Sequence, residues 1–168
     1  CEFYEIEEPQ LKCELYFTAF EKSKFDNDFR SKLPRNYVAI EPVSKTNYTP
    51  NRTYEFYKWQ NIVDSCPAVK FVQVGAKTEH ILNGVIDLTG KTTFREAALV
   101  IANADALMSS EGGLTHVATA VETTAVVIIT GYQSEKMIAY PQNINIDIAT
   151  HGPCGLKVKC DECMRDAA

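Results

Sequence analysis

Short β-rich apolar runs alternate with helical segments from residue 37 onward, and this alternation limits the possible folds more than any other feature of the chain. The predicted strands cover residues 37–43, 70–74, 85–88, 106–108, 125–129 and 143–148. Between them, the apolar residues of 54–63, 94–102 and 114–121 recur at the spacing of an amphipathic helix. Strands that are joined through helices pair in parallel, with helices on both faces of the sheet. The sequence therefore predicts an α/β fold with a mostly parallel sheet.

The two ends of the chain depart from this pattern. Within the first 35 residues, 14–25 are rich in aromatic and charged side chains, and residues 27–32 are predicted to continue a polar helix before Pro34. The last residues form a short segment in which cysteines are concentrated. We therefore expect a connecting segment at 1–35 that packs on the domain, the α/β domain at 36–150, and a cysteine-rich tail at 151–168.

Composition excludes several classes of protein. Of the 168 residues, 45% are hydrophobic and 23% are charged, which is usual for one globular domain with its own core. Because 17 Lys and Arg face 22 Asp and Glu, the net charge of −5 provides no basic field for nonspecific binding of nucleic acid. The longest apolar runs, such as 97–101 and 125–129, are far shorter than the roughly 20 residues of a membrane-spanning helix. We expect neither a nucleic-acid partner nor a membrane span.

The chain begins with Cys1 rather than Met, and we interpret it as a fragment of a longer protein. Its six cysteines are few for a disulfide-stabilised fold of this length. We therefore expect a cytoplasmic protein.

Polar loops follow the predicted strands, and they are the first place to look for a binding site. In an open parallel sheet, ligands bind beyond the carboxyl ends of the strands. The loops at these positions are rich in Gly, Ser, Thr and Lys, and they cover residues 44–52, 75–77, 89–92, 109–113 and 130–133. Loops of this kind are also polar simply because they are exposed, so the pattern alone leaves both interpretations open.

The loop after the fourth strand carries the most specific signal. Gly112 and Gly113 lie where this loop enters a helix, so backbone amides at the helix start can approach an anion such as a diphosphate. Glu111 would repel a phosphate, and sugar hydroxyls or a cation suit it better. Thr115 and His116 fall in the first helical turn. Alternatively, His116 is a structural histidine and Glu111 a solvated charge near a helix terminus.

A second glycine-containing segment, Thr89-Gly-Lys-Thr92, invites comparison with the phosphate-binding loop of ATPases. That motif needs four residues between its glycines, whereas Gly84 and Gly90 enclose five, and a predicted strand occupies the interval. We therefore exclude an ATPase of this class.

The tail contains four residues that could bind a metal ion. His151, Cys154, Cys160 and Cys163 lie within thirteen residues in the pattern H-x2-C-x5-C-x2-C. Four such ligands could hold a structural zinc or iron ion in a segment with little hydrophobic content. A disulfide bond or free thiols are the alternatives that this spacing leaves open.

With these residues in view, the chain from about residue 36 to 163 resembles the C-terminal half of the family 9 glycosyltransferases, the ADP-heptose:lipopolysaccharide heptosyltransferases and their relatives. The segments that carry the resemblance are residues 85–92, 97–105, 111–120 and 125–131, in that order. The resemblance implies a Rossmann-like domain that forms the C-terminal half of a GT-B fold. It also implies that residues 36–150 bind a nucleotide sugar.

The resemblance further implies an inverting glycosyltransferase with no cofactor required for catalysis. Its donor would be ADP-heptose or another nucleotide-diphospho-sugar, and its acceptor lipopolysaccharide or a related molecule. The acceptor and the catalytic base would belong to an N-terminal domain outside this chain. Two other functions remain open from the residues themselves, namely a non-catalytic nucleotide or sugar-phosphate binding module and a metal-stapled interaction domain.

Individual roles follow from the resemblance by position. Arg52 would neutralise the phosphates, Thr89 and Lys91 would lie near the nucleoside, and Glu111 would bind sugar hydroxyls. The backbone amides of Gly112, Gly113, Leu114, Thr115 and His116 would line the diphosphate. At position 122, where the family has a small residue, this chain has Glu122.

Overall fold

A computed structural model describes residues 13–43, 52–149, 152–153 and 155. The strands are β1 (Val38–Glu41), β2 (Phe71–Gln73), β3 (Ile86–Asp87), β4 (Ala106–Ser110), β5 (Ala125–Ile129) and β6 (Ile144–Asp147). The helices are α1 (Ala19–Asp28), α2 (Phe56–Ser65), α3 (Phe94–Ala102), α4 (Gly113–Ala120) and α5 (Glu135–Ile138), with a 3-10 turn at Arg30–Lys32. In the part of the chain that the structure describes, no helix is long and apolar enough to cross a membrane.

The six strands form one parallel sheet in the order β3-β2-β1-β4-β5-β6. From β1 the chain first builds outward through β2 to β3, and it then returns to the other side of β1 to place β4, β5 and β6. The direction of winding therefore reverses between β1 and β4. This is the topological switch point at which doubly wound α/β folds bind ligands.

Helices cover both faces of the sheet, as the sequence predicts. Because successive side chains of a strand point to opposite faces, Ala39 joins the core beneath α1, α3 and α4, whereas Ile40 joins a second core with Trp59 of α2. Ala39 and Ile40 are both fully buried. The α/β prediction with helices on both faces is confirmed.

Local signals explain where the best-defined helix begins. Thr93 accepts a hydrogen bond from the backbone of Glu96, and the Glu96 carboxylate accepts one from the backbone of Thr93. This reciprocal capping box satisfies amide groups that a helix start otherwise leaves without partners. Helix α3 accordingly spans the predicted residues 94–102.

The N-terminal segment differs from its prediction. A second capping box, between Thr18 and Glu21, starts helix α1. The polar helix expected to continue over 27–32 ends at Asp28 and is followed by the 3-10 turn. Helix α1 packs on α3 through buried Phe25 and through ion pairs of Glu21 with Arg95 and of Lys24 with Glu96. The boundaries at residues 35 and 150 stay predictions.

Candidate functional site

Arg52 meets the loop after β5 at the carboxyl edge of the sheet. The guanidinium group of Arg52 lies over the ring of Tyr132, with 4.4 Å between its Cζ atom and the ring centroid. Its Nη2 atom donates a hydrogen bond to Oε1 of Gln133 at 3.3 Å. Among the described residues, the Nε atom of Arg52 is buried and has no hydrogen-bond partner. Arg52 is thus placed beside β5 by stacking and by a single polar contact.

Glu111, at the end of β4, is buried in the same region. Only 3% of the residue is exposed. Its Oε1 atom accepts a hydrogen bond from Thr130 at 3.4 Å, while its Oε2 atom is buried without a partner among residues 13–43 and 52–149. Burial raises the pKa of Glu111, and the positive charge of Arg52 partly opposes this rise. Arg52 and Glu111 therefore act on each other electrostatically within one site.

Gly112 separates Glu111 from helix α4, and the N-terminus of this helix is open. No side chain caps the helix at Gly112, and a Cβ atom built on Gly113 would meet no atom within 4 Å. The Thr115 hydroxyl donates to the carbonyl oxygen of Gly112 at 2.6 Å, and the Leu114 side chain is buried in the core. Leu114 and Thr115 consequently have only their backbone amides to offer a ligand. The first amides and the helix dipole favour an anion at this position.

Thr89 and Lys91 are not brought together with Arg52 and Glu111. Both side chains contact Asp87, with Oγ1 of Thr89 at 2.6 Å from Oδ1 and Nζ of Lys91 at 2.6 Å from Oδ2. The hydrogen bonds from Lys91 and Thr89 keep the pKa of Asp87 below its ordinary value despite the opposing effect of burial. Because β3 is two strands away from β1, these side chains lie at the far end of the carboxyl edge.

The loop that carries Thr89 and Lys91 packs on the loop after β2. The amide of Gly90 donates to the carbonyl oxygen of Gly75 at 3.0 Å. Gly90 has a φ of +65°, and a Cβ atom at this residue would lie 2.6 Å from Cβ of Lys77. Both the backbone conformation and the close contact therefore require glycine here.

The imidazole of His116 forms its hydrogen bond within the protein. Its Nδ1 atom lies 2.7 Å from the hydroxyl oxygen of Tyr140, and the two rings meet edge to face at 5.5 Å. The same hydroxyl lies 3.1 Å from Sγ of Cys13. This arrangement matches the structural role that the sequence analysis left open for the His116 side chain.

Sequence reasoning missed Glu41, the last residue of β1. Its Oε1 atom lies 3.6 Å from a Cβ atom built on Gly75, and its Oε2 atom lies 4.0 Å from a Cβ atom built on Gly112. Burial raises the pKa of Glu41 to about 8. The predicted strand 37–43 placed Glu41 inside the strand. Its position directly before Pro42, where a central strand ends, was the signal available in the sequence.

The predicted metal ligands His151, Cys154, Cys160 and Cys163 lie outside the described residues. Within the described ranges, no group of three or more His, Cys, Asp or Glu residues is arranged to hold a metal ion.

Comparison with known proteins identifies the family of this chain. The family model described as glycosyltransferase family 9 (heptosyltransferase) matches residues 2–165. The chain belongs to glycosyltransferase family 9. No curated protein sequence is significantly similar to it.

Solved structures share the fold of this family 9 chain. ADP-heptose lipopolysaccharide heptosyltransferase II of E. coli is 21% identical, with a TM-score of 0.65 over 86% of this chain and 47% of that chain. The E. coli heptosyltransferase WaaC, solved with ADP, is 12% identical, with a TM-score of 0.60 over 97% of this chain and 51% of that chain. The iron-containing dodecameric glycosyltransferase TibC of enterotoxigenic E. coli H10407 is 19% identical, with a TM-score of 0.60 over 71% of this chain and 33% of that chain.

These coverages show that the family 9 chain spans about half the length of the heptosyltransferases that it resembles. At such identities the comparison establishes a shared fold, namely that of one half of a GT-B-like enzyme.

Proposed function

We propose that this chain is the donor-binding half of an inverting GT-B glycosyltransferase. The donor is a nucleotide-diphospho-sugar, with ADP-heptose as the first candidate. The acceptor is lipopolysaccharide or a related molecule, and the protein acts in the cytoplasm. One observation carries the proposal. Arg52, Glu111 and the open N-terminus of α4 lie together at the carboxyl edge, beside the switch point between β1 and β4.

The proposed chemistry is stabilisation of a leaving group. When the sugar is transferred, the nucleotide departs and leaves negative charge on its diphosphate. The guanidinium of Arg52 and the free amides of Gly112 and Gly113 supply positive charge and hydrogen-bond donors to that group. No cofactor is required for this step in our proposal.

Glu111 has a separate role in the proposal. A carboxylate next to a diphosphate is unfavourable, but the buried Oε2 atom lacks a partner among the described side chains and can accept a hydrogen bond from a sugar hydroxyl. The positive charge of Arg52 helps to keep Glu111 ionised for this purpose. The pair thus distinguishes the sugar end of the donor from its phosphate end.

Isothermal titration calorimetry with ADP tests the proposal. We expect saturable binding by the chain, and we expect Arg52→Ala to weaken it by roughly 1.5 to 3 kcal/mol, the range for a hydrogen bond to a charged group. Arg35→Ala is the matched control, because Arg35 is exposed before β1, at the opposite edge of the sheet. Arg35→Ala should bind ADP as the unaltered chain does. Failure of the unaltered chain to bind ADP would contradict the proposed function, and equal effects of the two substitutions would remove Arg52 from the site.

A further inference from the structure

Glu41 occupies the switch point itself, between two loops that both contribute glycine. In the register of the sheet Glu41 lies opposite Ser109 of β4, so both side chains point to the same face. The carboxyl oxygens of Glu41 face Gly75 on one side and Gly112 on the other. Gly75 has a φ of +125°, which favours glycine and leaves no side chain between this loop and the carboxyl group.

The surroundings of Glu41 include two buried polar groups that lack partners among the described residues. The hydroxyl of Ser109 is fully buried and makes no hydrogen bond to that part of the chain, and Oε2 of Glu111 is in the same situation. Buried polar atoms are normally paired, so such atoms near one another point to a ligand or ordered water. The N-terminus of α4, which suits an anion, begins at the next residue, Gly112.

The charge around Glu41 decides which ionisation state is compatible with a bound anion. The loop after β2 contributes Gly75 to this region, and β4 and its loop contribute Ser109, Glu111 and Gly112. Glu111 is the titratable group among these four, and it is itself acidic. Because no cation in this set favours the ionised form, burial raises the pKa of Glu41 to about 8.

An ionised Glu41 would repel a phosphate group that binds at the α4 N-terminus, whereas the neutral acid carries a hydroxyl that can donate a hydrogen bond to it. We infer that Glu41 binds the donor diphosphate as a neutral carboxylic acid, and that this hydrogen bond makes donor affinity dependent on pH. The inference rests on the proposed function and adds to it a residue that recognises phosphate and a condition for binding.

Calorimetric titration of ADP between pH 7.5 and 9.5 tests the inference, because the terminal phosphate of the nucleotide is already ionised in this range. We expect the affinity of the unaltered chain to fall about tenfold or more as Glu41 ionises. Glu41→Gln should lose this pH dependence, since its amide donates at every pH. Glu41→Ala should bind more weakly than Glu41→Gln at pH 7.5, since it has no donor.

Asp26→Asn is the matched control, because it removes one negative charge from the exposed surface of α1 and should keep the pH dependence of the unaltered chain. Circular dichroism establishes that each variant is folded at each pH. A Glu41→Gln variant with the same pH dependence as the unaltered chain would overturn the inference while leaving the proposed function intact. Absence of ADP binding by the unaltered chain at every pH would overturn both.

Discussion

At the scale of single residues, the candidate site holds polar groups that folding leaves unsatisfied. Among the described residues, Nε of Arg52 and Oε2 of Glu111 are buried without hydrogen-bond partners. A buried polar atom without a partner costs about 1 to 3 kcal/mol. Many other buried polar groups are paired, as the buried Gln73 side chain is with the backbone of His80 and Leu82. Some outside the site, such as Nε1 of Trp59 and Oγ1 of Thr92, also lack partners among the described residues. The candidate site differs in that two such groups, Arg52 and Glu111, interact with each other at the carboxyl edge.

The raised pKa of Glu41 leads to a prediction about the stability of the protein without a ligand. Because the folded pKa of about 8 lies above the ordinary glutamate value of 4.5, folding favours the neutral acid. This contribution to the free energy of unfolding is fully present below pH 4.5 and is lost as the pH rises through about 8. Glu41→Gln cannot ionise, so we expect it to be more stable than the unaltered chain at pH 9 by roughly 2 to 4 kcal/mol.

Urea denaturation at pH 5 and pH 9 measures this difference. The difference should be small at pH 5, because this pH is only slightly above the ordinary pKa of 4.5 and little of the stabilisation has been lost. The difference between the free energies of unfolding of the two proteins at each pH cancels the contributions of all other titrating groups, because both proteins share those groups. A constant difference at both pH values would mean that Glu41 ionises normally in the folded protein.

At the scale of elements, the helix starts differ in how their amides are satisfied. Helices α1 and α3 each begin with a complete capping box, formed by Thr18 with Glu21 and by Thr93 with Glu96. Helix α4 begins at a glycine cap with no hydrogen bond from a side chain. Its first amides therefore remain available to a ligand at the carboxyl edge, whereas those of α1 and α3 are already occupied.

The cysteine-rich tail is an element whose metal content can be measured directly. One imidazole and three thiolates form a donor set that suits zinc or iron. We propose that His151, Cys154, Cys160 and Cys163 hold a structural ion. Protein purified without added metal should contain up to one zinc or iron ion per chain by elemental analysis. Replacement of Cys160 and Cys163 by Ser should abolish this content.

Cys66→Ser is the control for the loss of a thiol, because Cys66 is a free cysteine at the end of α2 and should not affect the metal. A metal-free chain in which mass spectrometry finds Cys154 in a disulfide bond would refute the metal site.

At the scale of the whole molecule, the strand order β3-β2-β1-β4-β5-β6 brings the first and fourth strands side by side. This one feature places Arg52, the end of β4 and the start of α4 at a common edge. The related heptosyltransferases are about twice as long as this chain. We propose that the acceptor and the catalytic base come from a second domain that closes on this edge.

This division of labour predicts that the chain binds the donor but transfers no sugar. The general base must deprotonate the acceptor hydroxyl on the face of the sugar opposite the departing diphosphate, while Arg52 and Glu111 belong to the donor side. An assay with ADP-heptose and a lipopolysaccharide acceptor should therefore detect no product with this chain alone. A two-domain family 9 heptosyltransferase provides the positive control. Transfer by the chain alone would place a base within it and contradict the two-domain scheme.

Much of the local structure could be predicted from the sequence, because it depends on interactions between residues close along the chain. Helix α3 at 94–102 and strand β5 at 125–129 match their predicted bounds, since a capping box and a continuous β-branched run are local signals. The short helix α5 carries no comparable signal and was not predicted. The glycines at the start of α4 also led to the prediction of an anion site, and that site stays a prediction.

The tertiary structure alone decided which of these local features meet. Strand order depends on packing between residues far apart in the chain, so the sequence could not reveal that Glu41 would lie between Gly75 and Gly112. For the same reason, it could not reveal that Arg95 would be paired with Glu21. Periodicity and capping specify single elements, whereas the ionisation of a buried carboxyl group depends on neighbours that only the assembled sheet brings together.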